Sequence, residues 1–290
     1  MIIDKLYKEV EKKGPVCVGI DTSIDYIPKN FLNKFTSEDE ALFKYNQNII
    51  DATYDAAGCF KVQIAYYEAL GIKGLLVYKK TLEYIRSLGS VVIADIKRGD
   101  IAKTAEMYAK AHFEGDFESD IITLSPYMGL DSIEPYLPYV ENKEKGLFVL
   151  VRTSNKGAED IEYIKSENGE RIYSIVGKKI QNIGKKYIGE CGYSSIGGVI
   201  GCTHVEEGIK LRSELNDMMF LIPGYGAQGG KAEDVAMYLK NGNGGVVNSS
   251  RAVLLAYKKQ ENGEDHFAEC ARAEVLRMRE EIQKACQLKK

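Results

Sequence analysis

Long apolar runs are missing from this sequence: none approaches the ~20 residues a helix needs to span a bilayer, so no membrane partner is expected. A surplus of one charge is missing too. The chain has 39 basic and 42 acidic residues, a net charge of −3, and nothing in that balance points to nucleic acid. The lysine clusters (Lys143 to Lys145, Lys178-Lys179, Lys185-Lys186) read as solvated faces and loops. The six cysteines (Cys17, Cys59, Cys191, Cys202, Cys270, Cys286) show no Cys-x-x-Cys spacing. Several fall in apolar runs, where cysteine acts as a small hydrophobe. A reduced, cytoplasmic protein without a metal cluster is the expectation. Histidine is scarce, with three residues, no two of them at metal-ligand spacing. No linker or composition break divides residues 1–290, and no internal repeat stands out beyond strand–helix alternation.

What is present is 44% hydrophobic residues, enough for a large core, set in short runs. Eight of them read as strands: residues 16–20, 59–64, 91–96, 121–124, 147–151, 196–200, 220–222 and 245–248. Helical patterns lie between most of them, at 37–57, 78–88, 102–113, 171–189 and 233–240, with a last one at 264–287. Repeated alternation predicts a parallel sheet with helical crossovers. Eight units match an α/β fold of the (β/α)8 TIM-barrel type; a doubly wound open sheet is the alternative. Residues 1–14 read as an amphipathic helix with Ile2, Ile3, Leu6, Tyr7 and Val10 on one side. Its acids and lysines are unlike a signal peptide. Residues 155–192 read as an elaborated connection after the fifth strand, with a turn at Asn168-Gly169, and not as a second domain.

Charged residues collect where strands end. Asp95 and Lys97 close the apolar run 91–96 and, by strand alternation, share a face. Asp and Lys are almost never buried unless paired. An ion pair capping the strand is the plain explanation; Asp100, three residues on, favours chemistry. Asp21 ends the first strand and Lys61 lies in the second. In a barrel, such ends carry the catalytic groups. Two acids and two lysines directed inward are tolerable only as a mutually satisfied network.

The segment 223–230 (Pro-Gly-Tyr-Gly-Ala-Gln-Gly-Gly) and Arg251 after the eighth strand suggest a phosphate site. Glycines let backbone N–H groups approach an anion, and the helix beginning near Ala232 adds its positive end. Arg251 is suited to a bidentate contact. The same segment fits Gly-x-Gly-x-x-Gly, but it lies late in the chain and no acid follows at the required distance, which disfavours a dinucleotide. His204, after the sixth strand, is placed to line the pocket mouth; His112 and His266 read as packed or surface residues.

Assembled, these segments resemble the orotidine 5′-phosphate decarboxylase family, in its longer bacterial branch. The most specific piece is Ala94-Asp95-Ile96-Lys97-Arg98-Gly99-Asp100-Ile101-Ala102-Lys103-Thr104, similar to the family's Asp-x-Lys-x-x-Asp-Ile-x-x-x-Thr. Phe60-Lys61-Val62-Gln63, Pro126-Tyr127-Met128-Gly129-Leu130-Asp131, Thr153-Ser154-Asn155 and the 223–230 segment follow the family order. The resemblance implies decarboxylation of orotidine 5′-phosphate to UMP and CO2, the last step of de novo pyrimidine synthesis, without cofactor or metal. It implies a homodimer with shared sites: Lys61, Asp95 and Lys97 from one subunit, Asp100, Ile101 and Thr104 from the other. Lys97 would donate a proton to C6. Thr104 and Asp21 would contact ribose, Ser154 the pyrimidine edge, and Gln228, Gly229, Gly230 and Arg251 the phosphate. The chain departs from the family pattern after the sixth strand, where Val205 stands in place of a proline. Two other readings stay open: a Mg2+-dependent sugar-phosphate decarboxylase or aldolase, and a phosphate-binding barrel whose charges are structural.

Overall fold

The computed structural model describes residues 1–142, 144–226 and 229–289. Eight strands, β1 (Val16–Gly19), β2 (Cys59–Gln63), β3 (Val92–Arg98), β4 (Ile121–Leu124), β5 (Gly146–Arg152), β6 (Ser194–Ile200), β7 (Met218–Ile222) and β8 (Gly245–Ser249), form a closed parallel barrel in sequence order. The ring closes where Val16 registers with Val247 and Cys17 with Asn248. The strands are short and apolar because both faces are covered, and the expected TIM barrel is the fold observed.

Alternation along each strand splits the interior into two cores. Val18, Phe60, Val62, Ala94, Ile122, Val149 and Ile196 point outward against the helices. Cys17, Cys59, Ile93, Ile121, Phe148, Met219 and Val246 point into the barrel, where Ile2, Ile3, Leu6 and Val10 meet them from below. Those last four lie on the helix Ile2–Lys13, which stoppers the N-terminal mouth. Its Asp4 carboxylate accepts from the Cys191 amide at 2.9 Å, and Asn243 Nδ2 donates to the Tyr7 carbonyl at 3.1 Å.

Local chemistry sets the helix limits. Glu38–Thr53 begins where the Ser37 hydroxyl accepts from the Glu40 amide, with Glu38, Asp39 and Glu40 in the first turn, as the dipole favours. The helix Val205–Glu214, opening at Val205, was not expected from the pattern; it buries little beyond Gly208, Leu211 and Arg212, too sparse an apolar stripe to read. Across 155–192 lie a 3-10 turn (Lys156–Asp160), an antiparallel Lys165–Arg171 bridge about the left-handed Gly169, and the helix Ile172–Gly184. The Asn168-Gly169 turn is where it was expected. Among the described residues no helix is long and apolar enough to cross a membrane.

Candidate active site

Lys61, Asp95, Lys97 and Asp21 meet above the apolar interior, at the C-terminal ends of β1 to β3. Lys61 Nζ lies 2.9 Å from Asp21 Oδ1 and 3.1 Å from Asp95 Oδ2; Lys97 Nζ lies 2.6 Å from Asp95 Oδ1. The inward quartet is thus one chain of alternating charge. Burial would lower the Lys61 pKa, but the two carboxylates outweigh it and hold the ammonium above its usual range. Burial likewise pushes Asp95 up, and Lys61 with Lys97 more than reverses this, leaving its carboxyl well below the ordinary carboxylate range. Exposure separates the lysines: Lys61 is 5% exposed and locked between acids, whereas Lys97 is 46% exposed and open to a ligand.

Lys97 does not reach Asp95 by regular alternation. Its backbone is left-handed, φ 45°, a strained conformation for a long side chain. The β3–β4 register also slips between Ala94 and Arg98. Thr123 on β4 holds the irregularity: its Oγ1 accepts from the amides of Ile96 (3.0 Å) and Lys97 (2.9 Å) and donates to Asp95 Oδ1 (2.8 Å). Gln63 Nε2 adds a bond to Asp95 Oδ2 at 3.0 Å. Sequence reasoning passed over Thr123, although a polar residue in Ile121–Leu124 was the available signal. Ser250 was likewise not singled out as a site residue; its hydroxyl donates to Asp21 Oδ2 at 2.7 Å. That approach needs Gly19, where a Cβ would stand 1.9 Å from Ser250 Oγ.

Two adjoining cavities share Lys61, Asp95, Lys97, Pro223 and Asn248. One, about 370 Å3, is walled by Leu150, Val199 and Leu221 and edged by Thr153, Ser154 and Asn155. The other, about 410 Å3, runs past Asp21, Tyr26 and Tyr66 to Arg251. Together they form a trough with an apolar, hydroxyl-edged end, a charged middle and a cationic end. A flat heterocycle suits the first end and an anion the last.

The remaining expected residues fall differently. Gly229 and Gly230 line neither cavity; their amides are bonded inside the loop, to the carbonyls of Gly226 and Gly224. Gln228 lies outside the described residues. Asp100 accepts only from the Ile101 amide, at 2.8 Å, and has no ion-pair partner among the described residues. Ile101 and Thr104 are exposed and away from this chain's own trough. His204 is not in the trough either: its ring packs edge-on against Tyr163, with centroids 6.4 Å apart. Among the described residues no group of three His, Cys, Asp or Glu is arranged to hold a metal ion.

Residues 14–265 match the model of the orotidine 5′-phosphate decarboxylase / HUMPS family. An orotidine 5′-phosphate decarboxylase of Clostridium tetani is 67% identical over 285 residues, covering 98% of this chain and 99% of the relative. That of Clostridium kluyveri is 63% identical over 289 residues, covering 100% and 99%. The structure of Leishmania donovani OMP decarboxylase superposes with a TM-score of 0.77 at 26% identity, covering 98% of both chains. With the family model matching most of its length and such relatives spanning all of it, the chain belongs to the orotidine 5′-phosphate decarboxylase / HUMPS family.

Proposed function

We propose that this chain decarboxylates orotidine 5′-phosphate to UMP and CO2, and that Lys97 delivers the proton to C6. One observation carries the assignment of Lys97: it is the accessible ammonium of a buried charge chain, steered by Asp95 and Thr123 into the middle of the trough. The C6–carboxylate bond breaks, its electron pair stays on C6, and the Lys97 ammonium supplies the proton; solvent then reprotonates the amine. Preorganised charge of this kind is catalytically effective in a water-poor site. Two unit charges ~4 Å apart interact by about 4 kcal/mol at an effective dielectric near 20, so Asp95 beside a substrate carboxylate is a substantial influence on the barrier.

In this reading Ser154 bonds the pyrimidine edge, Asp21 the ribose and Arg251 the phosphate. Gln228, which lies outside the described residues, and Gly229 and Gly230 belong to the phosphate site in this reading. Asp100, Ile101 and Thr104 enter the trough of a second copy. Asp100, without an ion-pair partner among the described residues, and the exposed apolar residues Ile101 (42%) and Met107 (49%) support that pairing. Residues 1–290 act as one barrel domain, with 155–192 an elaboration of it. Six free thiols suit a reducing, cytoplasmic setting.

The test is turnover of orotidine 5′-phosphate, followed as loss of its ultraviolet absorbance with and without a chelator. Turnover unaffected by the chelator is the expected result. Absent turnover refutes the assignment, and chelator-sensitive turnover favours the Mg2+-dependent alternative. Mixing Asp100→Ala with Lys61→Ala subunits should restore some activity through hybrid dimers; no recovery despite subunit exchange refutes the shared site.

A further inference from the structure

Arg152 is the bulkiest of the fully buried side chains, 1% exposed, and the proposed chemistry leaves it without a role. It is the last residue of β5, directly before Thr153-Ser154-Asn155. Its Nε donates to Glu207 Oε2 at 2.8 Å, Nη1 to Glu162 Oε2 at 3.2 Å, and Nη2 to the Tyr163 hydroxyl at 2.8 Å. Nη1 also donates to the Thr153 carbonyl. Glu162 returns to the same residue: both of its oxygens accept from the Thr153 amide at 3.1 Å, and Oε1 lies 2.7 Å from Thr153 Oγ1. Arg171 completes the set, 2.6 Å from Glu207 Oε1, with its guanidinium 4.2 Å from the Tyr163 ring centre.

Two arginines and two glutamates therefore neutralise one another around the backbone of a single residue, Thr153. Both its N–H and its C=O are held by charged partners, which make the stronger class of hydrogen bond. The partners come from 162 and 171, inside the elaborated connection, and from 207 on the helix after β6. On the other side, Gly201 presses against Ser154: a Cβ at Gly201 would stand 2.8 Å from Ser154 Cβ. Ser154 is thus fixed from two directions at the heterocycle end of the trough, the end remote from Arg251.

We infer that the Arg152–Glu162–Glu207 cluster is a positioning device for Ser154, which makes the elaborated connection the part of the chain that sets affinity for the pyrimidine rather than for the phosphate. This rests on the function proposed above. None of the three side chains touches the ligand; they act through the Thr153 peptide.

The experiment compares two ligands on the full-length protein, UMP and ribose 5-phosphate, the second carrying a hydroxyl where UMP carries the base. Arg152→Met keeps the bulk and removes the fork. It should weaken UMP by about tenfold or more, the scale of one lost charge-assisted bond, and leave ribose 5-phosphate within about twofold. Arg152→Lys, which retains charge but cannot bridge both glutamates, should recover part of the loss. If Arg152→Met does not fold, Glu162→Gln carries the test with the same prediction. An equal loss for both ligands, or no loss for either, overturns the inference. Failure of the underlying function is distinguishable: there the wild type itself would not turn over orotidine 5′-phosphate or prefer UMP to ribose 5-phosphate.

Discussion

The two ends of the barrel interior are built from the same strands and obey opposite rules. Below, Cys17, Cys59, Ile93 and Phe148 pack against Ile3, Leu6 and Val10 as an apolar cluster. One pleat higher, Lys61 follows Cys59 and Asp95 follows Ile93 on the same inward face, and the interior becomes a line of ions. Apolar burial contributes about 25 cal/mol per Å2 and grows with area. Buried ion pairs are close to neutral for stability, and removing one partner is strongly destabilising. The lower half thus holds the barrel closed, and the upper half spends little of that stability only while its charges stay matched.

The largest effect should separate the halves by rate. Lys97→Ala removes the one ammonium of the pair open to ligand and should cut turnover of orotidine 5′-phosphate by at least about a thousandfold. Its melting temperature should stay within a few degrees of wild type, because Lys97 is half-exposed and Asp95 keeps Lys61, Gln63 and Thr123 as partners. Near-normal kcat would dissolve the distinction. Leu6→Ala makes the converse cut. Emptying a fully buried site beneath the barrel should lower unfolding free energy by about 2–5 kcal/mol in urea, with kcat per folded molecule unchanged. A kcat loss at low denaturant would mean that the halves are coupled.

A smaller and more specific effect belongs to Thr123→Val, which keeps the shape but removes the bonds to Asp95 and to the Lys97 amide. It should lower kcat by about a hundredfold with little change in KM, and Thr123→Ser should restore most of it. If serine fails to rescue, packing and not hydrogen bonding is what matters there.

The smallest effect contrasts the matched quartet with a buried group that has no counter-ion among the described residues. His112, on the helix Ala102–Phe113, is held down to about 4 by burial and by Arg98. Between pH 6.5 and 4 the unfolded chain takes up a proton that the native chain refuses. Stability should therefore fall as pH drops through that window, by up to about 3 kcal/mol, and level off below it. Asp95, shifted downward, loses its contribution only in stronger acid. His112→Phe should flatten the upper window and leave the lower one; an unchanged pH profile would refute the assignment.

Legibility followed the same divide. Strands buried on both faces show as apolar runs, so the barrel was readable. Lys61 and Asp95 were readable because charge inside such a run has no cheap alternative explanation. Thr123 was not, since threonine is an ordinary strand residue and its importance comes from a register slip between β3 and β4 that no local pattern announces. His204 was placed at the pocket mouth by counting along the chain, but the connection after β6 turns it toward Tyr163. Arg152 was passed over because its partners sit ten and 55 positions away, beyond any local spacing rule.

The helix packed under the barrel carries a consequence for traffic. With that mouth plugged, the trough opens, among the described residues, on the side where Arg251 and Ser154 stand. Whatever leaves must pass out the way the next arrival comes in. Product and substrate therefore exclude one another, and inhibition by the released nucleotide has to be competitive.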